Sequence, residues 1–197
     1  MAIIVDKEEK RRNIALSCRE LLLEHGIKDL TIAQIAQTAG VGKGTIYEYF
    51  ANKEDIVFEI ISSFIEEHEK RLMAIALQDI STKEKIYHFY FLFFDDKIHK
   101  KQLKTYREFI AISMTNPSKQ MTEFSIACNE KITAISGKII KEAIQKGELR
   151  DEAIHIVQPL SIYHTGLIAE EHKSALNAKE EIRNFLDTLF ILMESKI

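Results

Sequence analysis

The chain has 197 residues, is 46% hydrophobic, carries a formal net charge of −3, and contains only two prolines and seven glycines. That length and apolar content can bury a core in one or two compact domains, and so few breakers favour long helices. No run of about 18 apolar residues is present, which excludes a membrane-spanning helix, and two separated cysteines, Cys18 and Cys128, exclude a disulfide framework. The opening Met1-Ala-Ile-Ile-Val runs straight into charge and is too short for a signal peptide. A cytoplasmic location without a cofactor is expected.

In chain order, residues 6–25 read as a first helix, with Ile14, Ala15, Cys18, Leu21 and Leu22 on one face and Gly26 as its stop. Its basic start, Lys10 to Arg12, is either a solvated end or a phosphate contact. Thr31 then suits a helix N-cap, because its hydroxyl can accept an N–H that a helix start leaves unpaired. Ile32, Ile35 and Ala36 follow at helical spacing. Gly40 permits a sharp turn, and a second short helix over 42–50 turns Ile46, Tyr49 and Phe50 inward. The small Ala36, the turn at Gly40 and the anchor at Ile46 have the spacing of a helix-turn-helix. The outward side of the second helix offers Lys43, Gly44, Thr45, Tyr47 and Glu48, a mix suited to phosphates and base edges in a major groove. Bulk charge does not nominate this segment. Residues 1–54 hold eight Lys+Arg and eight Asp+Glu, so placement carries the reading.

The stretch TIAQIAQTAGVGKGTIYEYFANKEDI resembles the DNA-binding signature of TetR-family transcriptional regulators. The likeness lies in the Ala-Gly-Val turn, the Lys-Gly-Thr start of the recognition helix, its Tyr-x-Tyr-Phe end and the Asn-Lys-Glu that opens the next helix. The resemblance implies that Lys43, Gly44, Thr45 and Tyr47 meet base edges and phosphate, with Thr31, Tyr49 and Lys53 on phosphate. Gly42 stands where many relatives carry Ser.

Beyond the motif, Asn52 caps a long helix over 52–76 whose stripe is Val57, Ile61, Phe64, His68, Leu72 and Ile75. At 1.5 Å per residue it spans nearly 40 Å, and no flexible linker interrupts it. Ser81-Thr82 opens a fifth helix, apolar on almost every face through Phe94. Further helices are expected over 97–114, over 117–146 with Gly147 as stop, over 151–171 with a kink at Pro159, and over 180–195. The last two are apolar on more than one face. Ile182, Phe185, Leu186, Leu189, Phe190, Ile191, Leu192 and Met193 exceed what one internal stripe needs, which implies a partner surface.

Phosphate-loop, GxSxG and HExxH signatures do not occur in this sequence. His164 and His172 could share a helix face, a weak signal for metal. Aromatic residues of the body, taken singly, read as core; grouped, they could wall a cavity in which His88, Tyr90, Tyr106, Phe109 and Tyr163 meet a small ligand.

These readings converge on an all-α protein of about nine helices. Residues 1–52 form a DNA-binding head and residues 53–197 a ligand-binding and dimerisation body. The expected function is that of a regulator, a repressor released from a palindromic double-stranded DNA operator by a small apolar or amphipathic effector. It would act as a homodimer joined through the last two helices, and neither as an enzyme nor at a membrane. The alternative is a helical ligand-binding or protein-interaction module whose helix-turn-helix docks a protein partner.

Overall fold

The computed structural model describes residues 6–92, 97–115, 117–169 and 175–194, with side chains given outside 97–100 and 175–178. The expected helix ends at Phe94, Glu171 and Ser195, and also His172, lie outside the described residues. Ten α-helices follow one another, and one isolated bridge, Leu149 to Glu194, is the only β pairing among the described residues. The head comprises α1 (Lys7–Ser17), α2 (Arg19–Asp29), α3 (Ile32–Thr38) and α4 (Lys43–Tyr49). The body comprises α5 (Lys53–Ala76), α6 (Thr82–Phe91), α7 (Lys97–Thr115), α8 (Lys119–Gln145), α9 (Val157–Ala169) and α10 (Ala175–Met193).

Local chemistry sets most of these boundaries. The Asp6 carboxylate accepts the Glu8 and Glu9 N–H groups and so starts α1. The expected first helix divides at Cys18, where Ser17 Oγ donates to Ile14 O at 2.7 Å, a local bond that competes with the helical ladder. Gly26, at φ 79° and ψ 177°, then breaks the helical path before a last turn. Asn52 accepts the Asp55 N–H at 2.9 Å at the start of α5. The buried Lys85 ammonium donates to Ala76 O at 2.9 Å and closes the other end of that helix. Gly147, at φ 73°, ends α8 with N–H bonds from Gly147 to Ile144 O and from Glu148 to Ala143 O.

Pro159 does not kink a continuous helix. A 3-10 turn over Asp151–Ile156 precedes α9, and Pro159 falls in the first turn of α9, where a missing N–H removes no internal bond.

Two apolar clusters run through the molecule. The first joins Ile14, Leu22, Ile35, Ile46 and Phe50 to Ile56, Ile60 and Phe64 of α5, and takes in Phe109 of α7 with Met121 and Cys128 of α8. The second fills the body around Leu72, Ile86, Phe89, Ile139, Leu160 and Ile182. The first half of α5 therefore packs with the head and the second half with the body. On α10, Ile182, Leu186, Phe190 and Met193 point into the body core. Phe185, Ile191 and Leu192 stay exposed, the last two by 74% and 62%, together with Ile162 on α9.

Candidate nucleic-acid interface and ligand cavity

The helix-turn-helix is built from backbone bonds upward. Thr31 Oγ1 accepts the Gln34 N–H at 3.3 Å, and Gln34 Oε1 accepts the Thr31 N–H at 2.9 Å and the Thr31 hydroxyl at 2.7 Å, a reciprocal cap. At the far end of α3, Gly40 takes φ 65°, a conformation that costs a residue with a Cβ. There the Gly40 N–H bonds Gln37 O at 3.2 Å and the Val41 N–H bonds Ala36 O at 3.0 Å. The chain thus reverses within Gly40 to Gly42. Fully buried Ile35 and Ile46 lock the two helices together, with Ala36 beside them.

The opposite side of α4 faces outward. Lys43, Gly44 and Glu48 are exposed, Tyr47 is 60% exposed, and Thr45 and Tyr49 are half-buried. A Cβ added at Gly42 or Gly44 would meet nothing within 4 Å, so packing within the protomer does not call for glycine at either place.

Ion pairs fix the head on α5. Arg11 pairs with Glu59, Arg12 Nη2 reaches Glu66 Oε2 at 2.6 Å, and Arg19 holds both oxygens of Glu67 at 2.5 and 2.6 Å. Hydrogen bonds from Arg12 and Arg19 hold the Glu66 and Glu67 carboxyls below the usual carboxylate range. Arg11 also lies over the Phe50 ring and Arg19 over the Phe64 ring. At the basic start of α1, the guanidinium groups of Arg11 and Arg12 are thus engaged by carboxylates of α5.

Below the head, α5, α7, α8 and α9 enclose a cavity of about 510 Å³. Ile65 and His68 of α5, and Tyr106, Phe109 and Ile110 of α7, form one side; Ser125, Cys128, Asn129, Ser161 and His164 form much of the other. Ser161 Oγ donates to Asn129 Oδ1 at 2.6 Å and lies 3.1 Å from Thr133 Oγ1, which ties α8 to α9. Burial pushes the His164 imidazole down to about 4 and the Cys128 thiol up to about 11, and raises the Tyr106 phenol as well.

The profile described as "Bacterial regulatory proteins, tetR family" matches residues 17–60, which run from the end of α1 into α5 and contain the whole helix-turn-helix. Over those residues the chain is similar to the tetR family.

Among curated proteins, the HTH-type transcriptional regulator HbdR of Aromatoleum is 37% identical over 65 residues, 33% of this chain and 28% of the relative. Matches to the first curated relatives span between 28% and 41% of their lengths. The fold likeness is wider. A TetR-family regulator from Cytophaga hutchinsonii superposes with a TM-score of 0.74 at 18% identity, covering 98% of this chain and 99% of that one. The FadR regulator of Bacillus subtilis, solved in complex with stearoyl-CoA, gives 0.62 at 20% identity, covering 88% and 96%.

The residues singled out from the sequence are distributed unevenly. Lys43, Gly44 and Tyr47 share one open face, with Gly42 and Thr45 at its start. Thr31 and Lys53 have partners inside the protomer: the Thr31 hydroxyl serves the cap of α3, and Lys53 Nζ donates to Ile27 O at 3.0 Å and Lys28 O at 3.2 Å. Of the five expected cavity residues, Tyr106 and Phe109 line the cavity. His88 is exposed on α6, Tyr90 is 1% exposed behind His164 at a ring separation of 5.2 Å, and Tyr163 packs on Phe185 at 4.4 Å. Those three do not line it: on α6, Tyr90 turns into the body core and His88 to solvent, and on α9 Tyr163 turns to Phe185 of α10.

The polar wall residues His68, Ser125, Ser161 and His164 were not singled out for the cavity. The available signal was small: His68 and His164 sit on otherwise apolar inward stripes, where a polar side chain must find a partner.

Proposed function

We propose that the protein is a ligand-responsive, DNA-binding transcriptional regulator, with residues 1–52 as its DNA-binding part and residues 53–197 as its ligand-binding and dimerisation part. The observation that carries the reading is the helix-turn-helix, whose second helix turns Lys43, Gly44 and Tyr47 to solvent while Ile46 anchors it from behind. Lys43 and the bare backbone at Gly44 suit phosphates, and Thr45 and Tyr47 suit base edges. Thr31, Gly42, Tyr49 and Lys53 flank them as backbone-positioning contacts. The third ammonium hydrogen of Lys53 is enough for a phosphate even while two carbonyls hold the other two.

Regulation, not catalysis, is the role assigned to the cavity, and repression relieved by an effector is the sense of that regulation. The support is a wall shared with the head's fixings. Tyr106, Phe109 and Ile110 line the cavity on the same helix whose Glu108 carboxylate accepts the Ile27 and Lys28 N–H groups of the head at 2.8 and 3.0 Å. Ile65 and His68 add a wall from α5, the helix to which the head's arginines are paired. A ligand that displaces either helix shifts the head by its differential affinity for the two arrangements. The outward apolar residues of α9 and α10 support a homodimer joined there, which would present two recognition helices to a near-palindromic operator.

Selection of bound duplexes from random DNA, followed by shift assays at several salt concentrations, tests the reading. A near-palindromic consensus whose affinity falls steeply with salt is the expected result. Absence of any salt-dependent DNA binding would favour a protein-docking head instead.

A further inference from the structure

The cavity's chemistry, taken together with the proposed effector site on which this inference rests, narrows the class of ligand. We propose that the cavity accepts an uncharged, mainly apolar molecule carrying one or two hydrogen-bonding groups, and that Ser125 Oγ receives one of them.

Three features of the site carry this. The first is its shape: about 510 Å³ between four helices, walled by Ile65, Phe109, Ile110, Ile132 and Ile168. Apolar walls of that kind gain from burying hydrocarbon. The second is the kind of polar group on offer. Ser125, Asn129, Ser161 and Thr165 present neutral hydroxyls and an amide, and Lys, Arg, Asp and Glu are not among the described lining residues. The Ser125 hydroxyl is buried and has no hydrogen-bond partner among the described residues, so a ligand donor or acceptor would complete it.

The third is the response of the wall to charge. Desolvation disfavours the cationic form of His164 and equally the anionic forms of Cys128 and Tyr106. Three wall residues of both charge types thus favour neutrality for the same reason, and a charged ligand group would meet the same cost.

A matched series with one hydrocarbon chain tests the inference on the full-length protein at pH 7.5. Displacement of the neutral fluorophore N-phenyl-1-naphthylamine by 1-decanol, decanoate and decylammonium gives three apparent affinities. Decanol is expected to bind at least about tenfold more tightly than either ion, and Ser125→Ala to weaken decanol about three- to tenfold. Gly166→Trp locates the site: a Cβ there meets nothing within 4 Å and Gly166 lines the cavity, so the indole can occupy it without backbone strain.

If Gly166→Trp folds by circular dichroism and abolishes uptake while an ion binds as tightly as decanol, the neutral class is overturned and the cavity survives as a site. If the fluorophore does not bind, or binds undiminished to Gly166→Trp, the effector-site reading falls and this inference with it. Unchanged decanol affinity in Ser125→Ala overturns the role of Ser125.

Discussion

The Glu108 carboxylate lies across the backbone that follows Gly26. It accepts the Ile27 N–H at 2.8 Å and the Lys28 N–H at 3.0 Å, and a Cβ placed on Gly26 would stand 2.7 Å from Glu108 Oε2. Gly26 also takes φ 79°, which a side chain rarely allows. Lys53 Nζ grips the same turn from the other side through Ile27 O and Lys28 O. A body helix and the start of α5 therefore clasp one three-residue segment of the head.

The clasp predicts a separation of stability from communication. Gly26→Ala combines left-handed strain with a crowded carboxylate and should cost about 1–3 kcal/mol, read as a lower thermal midpoint. Glu108→Ala leaves two N–H groups without their acceptor and should cost about 1–3 kcal/mol. If α7 carries the signal, Glu108→Ala should also shrink the effect of a cavity ligand on operator affinity, normally about 5- to 150-fold for a coupling of about 1–3 kcal/mol. Operator titrations with and without ligand measure this, and an undiminished ratio would remove α7 from the route.

The recognition face predicts two different outcomes for two lysines. Lys43→Ala, on an open helix face, should weaken operator binding with little change in melting temperature. Lys53→Ala should reduce the salt slope by about one if its third hydrogen meets a phosphate, and should lower stability by about 0.5–1.5 kcal/mol through the lost carbonyl bonds. An unchanged slope with reduced stability would make Lys53 a fastener of the head and nothing more.

His164 predicts a pH dependence. Its folded value is depressed from 6.5 to about 4 by burial, so the unfolded chain binds the proton first. The stabilisation is fully present above about pH 6.5, declines between 6.5 and 4, and is gone below 4, a span on the order of 3 kcal/mol. Chemical denaturation of His164→Leu, compared with the wild type at pH 7 and pH 4.5, should show a flatter profile. Parallel profiles would place the acid sensitivity elsewhere.

Assembly predicts opposite results for neighbouring leucines. Leu186 is 1% exposed, so Leu186→Glu should unfold the protomer rather than merely separate a dimer. Leu192 is 62% exposed and outward, so Leu192→Glu should give folded monomers by sedimentation. A wild-type protein that sediments as a monomer at micromolar concentration would refute the interface.

The sequence by itself determined the helices and the motif, because these depend on short-range physics. Thr31, Asn52 and Ser81 cap the helices that follow them, Gly26, Gly40 and Gly147 take positive φ where the chain had to turn, and the inward periodicity of Ile35, Ala36 and Ile46 needs only neighbours in the chain. What the tertiary structure decided was partnership. Arg11 and Arg12 could equally have met phosphates until α5 brought Glu59 and Glu66 alongside. Aromatic residues of α6 read as a cavity wall until packing turned Tyr90 behind His164 and left His88 in solvent. Composition tells which side chains want burial or a counter-charge. Which partner meets that demand, 48 residues on from Arg11 or 81 on from Ile27, is settled only when distant helices pack.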